Sequence, residues 1–255
     1  MDLATLLLVT FVAALVTDLA TGLGALPFFV VPRISEKFNG ILLGAAAGMM
    51  SVASLYQLLG EGMARAPGWQ IWQVAMGLGL GAVFFYLATH WLEDDRFDIG
   101  NLRETGGAGA LLIVAAMTLH SMPEGVAIGV AYGSGEADFG LNIAAALAVH
   151  NIPEGVAITA ALRGKGASTW ACLGWAIFSS LPQPIFAPPA AWLVWISEPL
   201  LPAGLGFAVG AMMFLVTYEL VPEAAKKAGK SRSSIAFAGG TILMLVLVWA
   251  VGGVG

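Results

Sequence analysis

Hydropathy and helix breakers divide the chain into eight apolar stretches, at 3–30, 39–61, 71–92, 108–132, 140–163, 168–196, 201–222 and 234–252. A helix needs about 20 residues to cross a hydrocarbon layer about 30 Å thick, and each stretch is long enough to do so. The connections are short and carry most of the charge. This pattern predicts an all-α, polytopic membrane protein of eight transmembrane helices, with residues 1–255 forming a single transmembrane domain. The first stretch, "MDLATLLLVTFVAALV", has no basic leader and no small-residue cleavage site, so it is read as a retained span. The sixth contains Pro182, Pro184, Pro188 and Pro189 and is expected to be a discontinuous helix. In transporters, breaks of this kind cluster near substrate.

Composition supports the membrane reading: 58% of residues are hydrophobic and 11% are charged, against about a quarter charged in soluble domains. No room remains for a soluble domain. The single cysteine, Cys172, excludes an intrachain disulfide and a cysteine-based zinc cage. Charge then orients the chain. Arg33 and Lys37 follow span 1, Arg96 and Arg103 follow span 3, Arg163 and Lys165 follow span 5, and Lys226, Lys227, Lys230 and Arg232 follow span 7. Of the 11 Lys and Arg residues, Arg65 alone falls on the other set of loops. Because cytoplasmic loops favour Lys and Arg, both termini are expected outside, in a multi-pass protein of the plasma (inner) membrane. Asp2, Glu61, Glu136, Asp138 and Glu198 would then face the exterior, either enriching cations locally or serving as ordinary solvated loop charge.

Two repeats lie within this frame. "LHSMPEGVAIGV" (119–130, span 4) is followed by "VHNIPEGVAITA" (149–160, span 5), and the two spans run in opposite directions. "GMMSVASLYQLLGE" (48–61, span 2) is echoed by "GAMMFLVTYELVPE" (210–223, span 7), again antiparallel. Spans 1–3 and 6–8 therefore read as inverted repeats flanking a central pair, an arrangement that puts a transporter's substrate site near the midplane.

Each central motif places Glu four residues after His, on one helical face and one turn away. Ser121 and Asn151, at the next position after each His, lie in the same polar arc. Pro123 and Pro153 are expected to loosen the carbonyls of Leu119 and Val149, which at membrane depth requires a protein or cavity environment. If the two motifs face each other, His120, Glu124, His150 and Glu154 supply two nitrogens and two carboxylates. That set suits Zn²⁺ and accepts Fe²⁺, Mn²⁺ or Co²⁺. Four buried packing residues are the plain alternative, but each charged carboxylate at bilayer depth costs on the order of 3 kcal/mol, so an unpartnered duplicate is a repeated liability. A proton relay through the same residues is the stronger rival. No H-E-x-x-H motif or nucleophile elbow points to an enzyme.

"HSMPEG" in span 4, "HNIPEG" in span 5, eight spans, external termini and a cytoplasmic loop after span 3 together resemble the ZIP family of divalent metal transporters (zinc- and iron-regulated transporter-like proteins), especially its bacterial members. The resemblance covers essentially the whole chain. It implies uptake of Zn²⁺ or related ions, a metal site between spans 4 and 5, a 3+2+3 bundle, a homodimer and an elevator-like alternating-access movement. Carried over position by position, it puts His120, Glu124, His150, Asn151 and Glu154 at metal positions. Ser121 stands where the family often has Asn, Gln183 where span 6 often has a bridging Glu, and Tyr218 before Glu219 where span 7 often reads His-Glu. The first two departures argue against a second, adjacent ion, and the third weakens a relay at Glu219. The loop "EDDRFDIGNLRETGG" lacks the histidines common there, though its acids at 93–98, with His90 before them, could hold an exiting cation weakly.

Asp18 in span 1 either faces the transport path or bonds to a neighbouring helix. The expected function is inward movement of a divalent transition metal, Zn²⁺ first and Fe²⁺, Mn²⁺, Co²⁺ or Cd²⁺ next, by alternating access. The ion is the substrate, no catalytic cofactor is expected, and nucleic acid is not among the expected partners. With no G-x-x-x-x-G-K-[ST] loop, transport would run on gradients. A proton-coupled exporter and an intramembrane metalloenzyme are the rival readings.

Overall fold

The computed structural model describes residues 1–31, 34–66, 68–93 and 106–252. Arg33, Arg96, Arg103 and the acidic run beyond Glu93 lie outside the described residues. Among the described residues all regular structure is helical. Helix α1 (Leu3–Leu23) starts at Asp2, whose carboxylate accepts from the amide of Thr5 at 2.8 Å. It ends at Gly24, and a 3₁₀ turn (Leu26–Phe29) built on Pro27 completes span 1. Span 2 comprises α2 (Glu36–Val52), a π-turn (Ala53–Leu58) and α3 (Leu59–Ala64). Then come α4 (Ile71–Glu93), α5 (Gly106–Gly133) and α6 (Ala137–Gly164), the last two continuous through Pro123 and Pro153.

Span 6 breaks once, at Leu181, between α7 (Thr169–Ser180) and α8 (Pro182–Ile196). Pro182 and Pro184 lack the N–H groups that would continue the α7 ladder, whereas Pro188 and Pro189 sit inside α8 without ending it. Span 7 repeats the construction of span 2: α9 (Leu200–Leu215), a π-turn (Val216–Leu220) and α10 (Val221–Ala228), followed by α11 (Lys230–Gly252). Among the described residues, six segments are long and apolar enough to cross a membrane: Leu3–Phe29, Glu36–Ala64, Gly68–His90, Ala137–Gly164, Leu200–Ala228 and Lys230–Ala250. The protein is an all-α polytopic membrane protein.

Four pairs dominate the packing: α1 with α6, α5 with α8, α2 with α11, and α4 with α9. Exchanging span 1 with 6, 2 with 7, 3 with 8 and 4 with 5 turns this set into itself. Glycines give the register. Gly48 lies against the carbonyl of Phe237 and Gly210 against that of Leu78, while Gly240 lies against the carbonyl of Ala45 and Gly81 against that of Phe207. In both matches the span 2 and span 7 residues are 162 positions apart, and the span 3 and span 8 residues 159 apart. Such helix-to-backbone contacts are the means by which membrane helices associate without a hydrophobic driving force.

The same contacts divide the bundle into two blocks. Helices α1, α5, α6, α7 and α8 pack mainly on one another, as do α2, α3, α4, α9, α10 and α11. We call the second set the frame. The seam between them is formed chiefly by α5 against α9 and α2 against α6.

Two glycines on α4 provide a paired test of this packing. A methyl group at Gly81 would collide with the backbone of Phe207, whereas one at Gly79 meets nothing within 4 Å. Gly81→Ala is expected to destabilise by about 1–3 kcal/mol. Gly79→Ala is expected to be neutral or slightly stabilising. Thermal unfolding in detergent compares the two, and equal melting temperatures would contradict the close α4–α9 contact.

Candidate metal centre

The centre is built on the antiparallel pair α5 and α6. Helix α5 carries His120, Ser121 and Glu124, and α6 carries His150, Asn151 and Glu154; all six are buried. The glycine after each glutamate lets a neighbour approach. A side chain at Gly125 would strike the backbone of Pro182 and Gln183 at the start of α8, and one at Gly155 would strike the carbonyl of Thr21 on α1. The Pro-Glu-Gly segments thus sit where α8 and α1 close over the pair.

Glu124, His150 and Glu154 each offer a ligand atom, and those atoms lie within 4.8 Å of one another. His150 Nδ1 is 3.5 Å from Glu124 Oε1 and 3.1 Å from Asn151 Oδ1. With Nδ1–H donated to that amide oxygen, Nε2 keeps its lone pair, the tautomer a metal ligand requires. The Asn151 amide is anchored in turn, donating to the Thr17 carbonyl at 3.0 Å and to Gln183 Oε1 at 3.3 Å. Gln183 Nε2 donates to Glu124 Oε2 at 2.5 Å. The single hydroxyl proton of Thr17 is shared between Gln183 Oε1 at 2.6 Å and the Ala14 carbonyl at 2.7 Å.

The network stops short at the cluster. Glu124 Oε1 and Glu154 Oε2 are buried with no hydrogen-bond partner among the described residues. Neither carboxylate is paired there with Lys or Arg. Two carboxylate oxygens left bare beside an imidazole, in residues 0% and 4% exposed, are costly unless a cation meets them. The donor set of one nitrogen and two oxygens suits a divalent transition metal.

The remaining residues singled out in the sequence fall elsewhere. The structure brings His120 to Glu219 instead, with Nδ1 3.7 Å from Oε2. Glu219 lies on the second π-turn and its side chain is 34% exposed, so it joins the buried centre to a more open region. Ser121 Oγ donates to the Met117 carbonyl at 3.2 Å, back along its own helix. Both Asp18 oxygens are buried without a hydrogen-bond partner among the described residues. Thr17 was not singled out. Its signal is the run of hydroxyl residues Thr10, Thr17 and Thr21, which spacings of seven and four put on one face of α1.

Comparison with known proteins agrees with this geometry. The profile of the family described as ZIP Zinc transporter matches residues 95–248. The chain is 34% identical over 250 residues to zinc transporter GufA of Myxococcus xanthus, covering 94% of this chain and 98% of that protein. It is 33% identical over 246 residues to zinc transporter ZIPB of Bordetella bronchiseptica, covering 91% and 78%. Human zinc transporter ZIP11 is 39% identical over 157 residues, covering 58% of this chain and 46% of ZIP11, so the match spans less than half of that longer protein. A whole-length match to GufA, a family match over more than half the chain and a buried His/Glu centre in an all-helical membrane bundle lead to one conclusion: the chain belongs to the ZIP family of membrane metal transporters and is not an enzyme.

Proposed function

We propose that this protein imports divalent transition-metal ions, Zn²⁺ first, into the cytoplasm by alternating access through the Glu124–His150–Glu154 centre. The observation that carries this reading is the pair of bare carboxylate oxygens beside His150, deep among membrane helices. Asn151 and Gln183 orient the ligands rather than hold the ion, since their polar atoms are engaged by His150, Thr17 and Glu124. His120 and Glu219 form the next station on the inward route. The chain crosses the plasma membrane eight times with both ends outside, as its Lys and Arg distribution favours, acts as one transmembrane domain, and assembles as a homodimer. Fe²⁺, Mn²⁺, Co²⁺ and Cd²⁺ are secondary substrates compatible with the same donor set.

Metal flux into proteoliposomes of known orientation is the direct test, and its sidedness distinguishes an importer from an exporter. His150→Ala or Glu154→Ala should reduce flux more than about tenfold while leaving folded protein in the membrane. Near-normal flux in both at matched expression would remove these residues from the site.

Protons compete with metal for imidazole and carboxylate, so apparent affinity should fall as the pH drops from about 8 to about 5. An affinity flat across that range would mean that no group of the centre gives up a proton when the ion binds.

Two carboxylates neutralise one divalent ion and leave nothing for another held close by in a poorly screened interior. Calorimetry should therefore give one tightly bound ion per chain, and Gln183→Glu should create or strengthen a second site. Two tight ions in the unaltered protein would contradict the neutral role of Gln183.

A further inference from the structure

Arg65 is the basic residue that the charge pattern leaves on the loops opposite to all the others, and its surroundings explain what holds it there. It follows α3, in the frame, yet it grips the other block. Nη1 and Nη2 meet the two oxygens of Glu136 at 2.7 Å each, a bidentate fork. Nε meets Glu61 at 2.9 Å, one turn back on its own helix. The guanidinium also lies 4.7 Å from the centroid of the Phe139 ring, on α6. Exposed ion pairs are generally weak, but here the fork, the third nitrogen and the ring hold the guanidinium at three points. The fork also holds the Glu136 carboxyl below the usual carboxylate range, so the pair stays charged through mildly acidic pH.

The location matters more than the strength. Glu136 is the N-cap residue of α6 and closes the turn of residues 134–136 that joins α5 to α6. That turn is tight: Gly135 has φ +83°, and the Glu136 amide donates to Ser134 Oγ at 3.2 Å. The two helices joined there carry Glu124, His150 and Glu154. Lys226 and Lys227 make their ion pairs within the frame, with Glu223 and Glu36. Arg65 instead spans the seam.

We infer that Arg65 is a releasable latch: its grip on Glu136 and Phe139 holds the site-bearing α5–α6 hairpin against the frame in the state seen here, and must let go once in every transport cycle. This rests on the alternating-access reading above. If the two blocks shift against each other to change the exposure of the site, the contacts of Arg65 with Glu136 are among those that must break. Arg65 touches none of the ligands, so it acts on transport by positioning the hairpin.

The test is a reversible bridge. In the Arg65→Cys/Glu136→Cys variant, a reducible bis-methanethiosulfonate cross-linker joins the two positions; the native Cys172 is buried and does not compete. The bridged protein should still bind Zn²⁺ with unchanged stoichiometry, but its flux in proteoliposomes should fall at least about tenfold and return on reduction. In each single-cysteine variant the same treatment should leave flux at that variant's own untreated rate. A fully bridged protein that transports at the rate of its reduced form would overturn the latch, whereas absence of flux in the unaltered protein would instead overturn the transport reading. Should the double variant fail to bind metal, Glu136→Gln supplies a second measurement. It should speed, by several-fold, the labelling of a cysteine at Thr10, buried on α1 toward the Arg65 end, by an impermeant thiol reagent added at that end. Unchanged labelling would count against the latch.

Discussion

Everything in the bundle is arranged around two carboxylates that should not be where they are. Placing Glu124 and Glu154 together among apolar helices is unfavourable twice over, once for loss of water and once for their mutual repulsion. The protein offsets this only in part: Gln183 satisfies one oxygen of Glu124, and His150 stands beside the other. The shortfall leaves two buried carboxylate oxygens that a cation would satisfy. A cluster satisfied by arginine or lysine would be stable and inert. In the function proposed above, an ion of charge +2 completes this one, and the neutral amides around it set geometry without adding charge that a second ion would need.

Holding such a cluster at depth demands helices that approach closely without apolar attraction between them, and glycine supplies that. The matched contacts of Gly48 and Gly210, and of Gly81 and Gly240, make each half of the frame a copy of the other with opposite direction. Gly125 and Gly155 do the same for the central pair, admitting α8 to one motif and α1 to the other. The histidine and glutamate of the motifs supply the chemistry. The glycine at their end supplies the space in which Thr17, Asn151 and Gln183 meet.

Much of this is legible from one sequence because membrane helices must be long, apolar and bounded by charge, and because a duplicated motif needs duplicated surroundings. The break in span 6 could be foreseen from prolines, though only its position at Leu181 shows which of the four interrupts the ladder. The parting of His120 from Glu124 could not. Residues four apart share a face but differ by about 40° in direction and about 6 Å along the axis. Which of them meets a partner helix depends on how the helices cross, and crossing angles are set by contacts between residues far apart in the chain. Thr17 escaped notice for the same reason, since its partners lie 134 and 166 positions away. Arg65 could be seen as an exception to the charge pattern, but its fork with Glu136 belongs to folded space.

The paired π-turns act as phase shifters. A π-turn carries one residue more than the α-helix it interrupts, and an extra residue rotates everything beyond it by about 100°. In span 2 the turn at Ala53–Leu58 separates Met49 and Met50, packed in the core, from Glu61 and Arg65 at the end of the helix. In span 7 the turn at Val216–Leu220 itself carries Glu219 toward His120. Spans 2 and 7 can therefore present their first halves to a glycine-packed neighbour and to the site-bearing block, and turn an independently chosen face into the frame over their second, where α3 packs on α9 and α10 on α2. A single uninterrupted α-helix would have to compromise between the two directions.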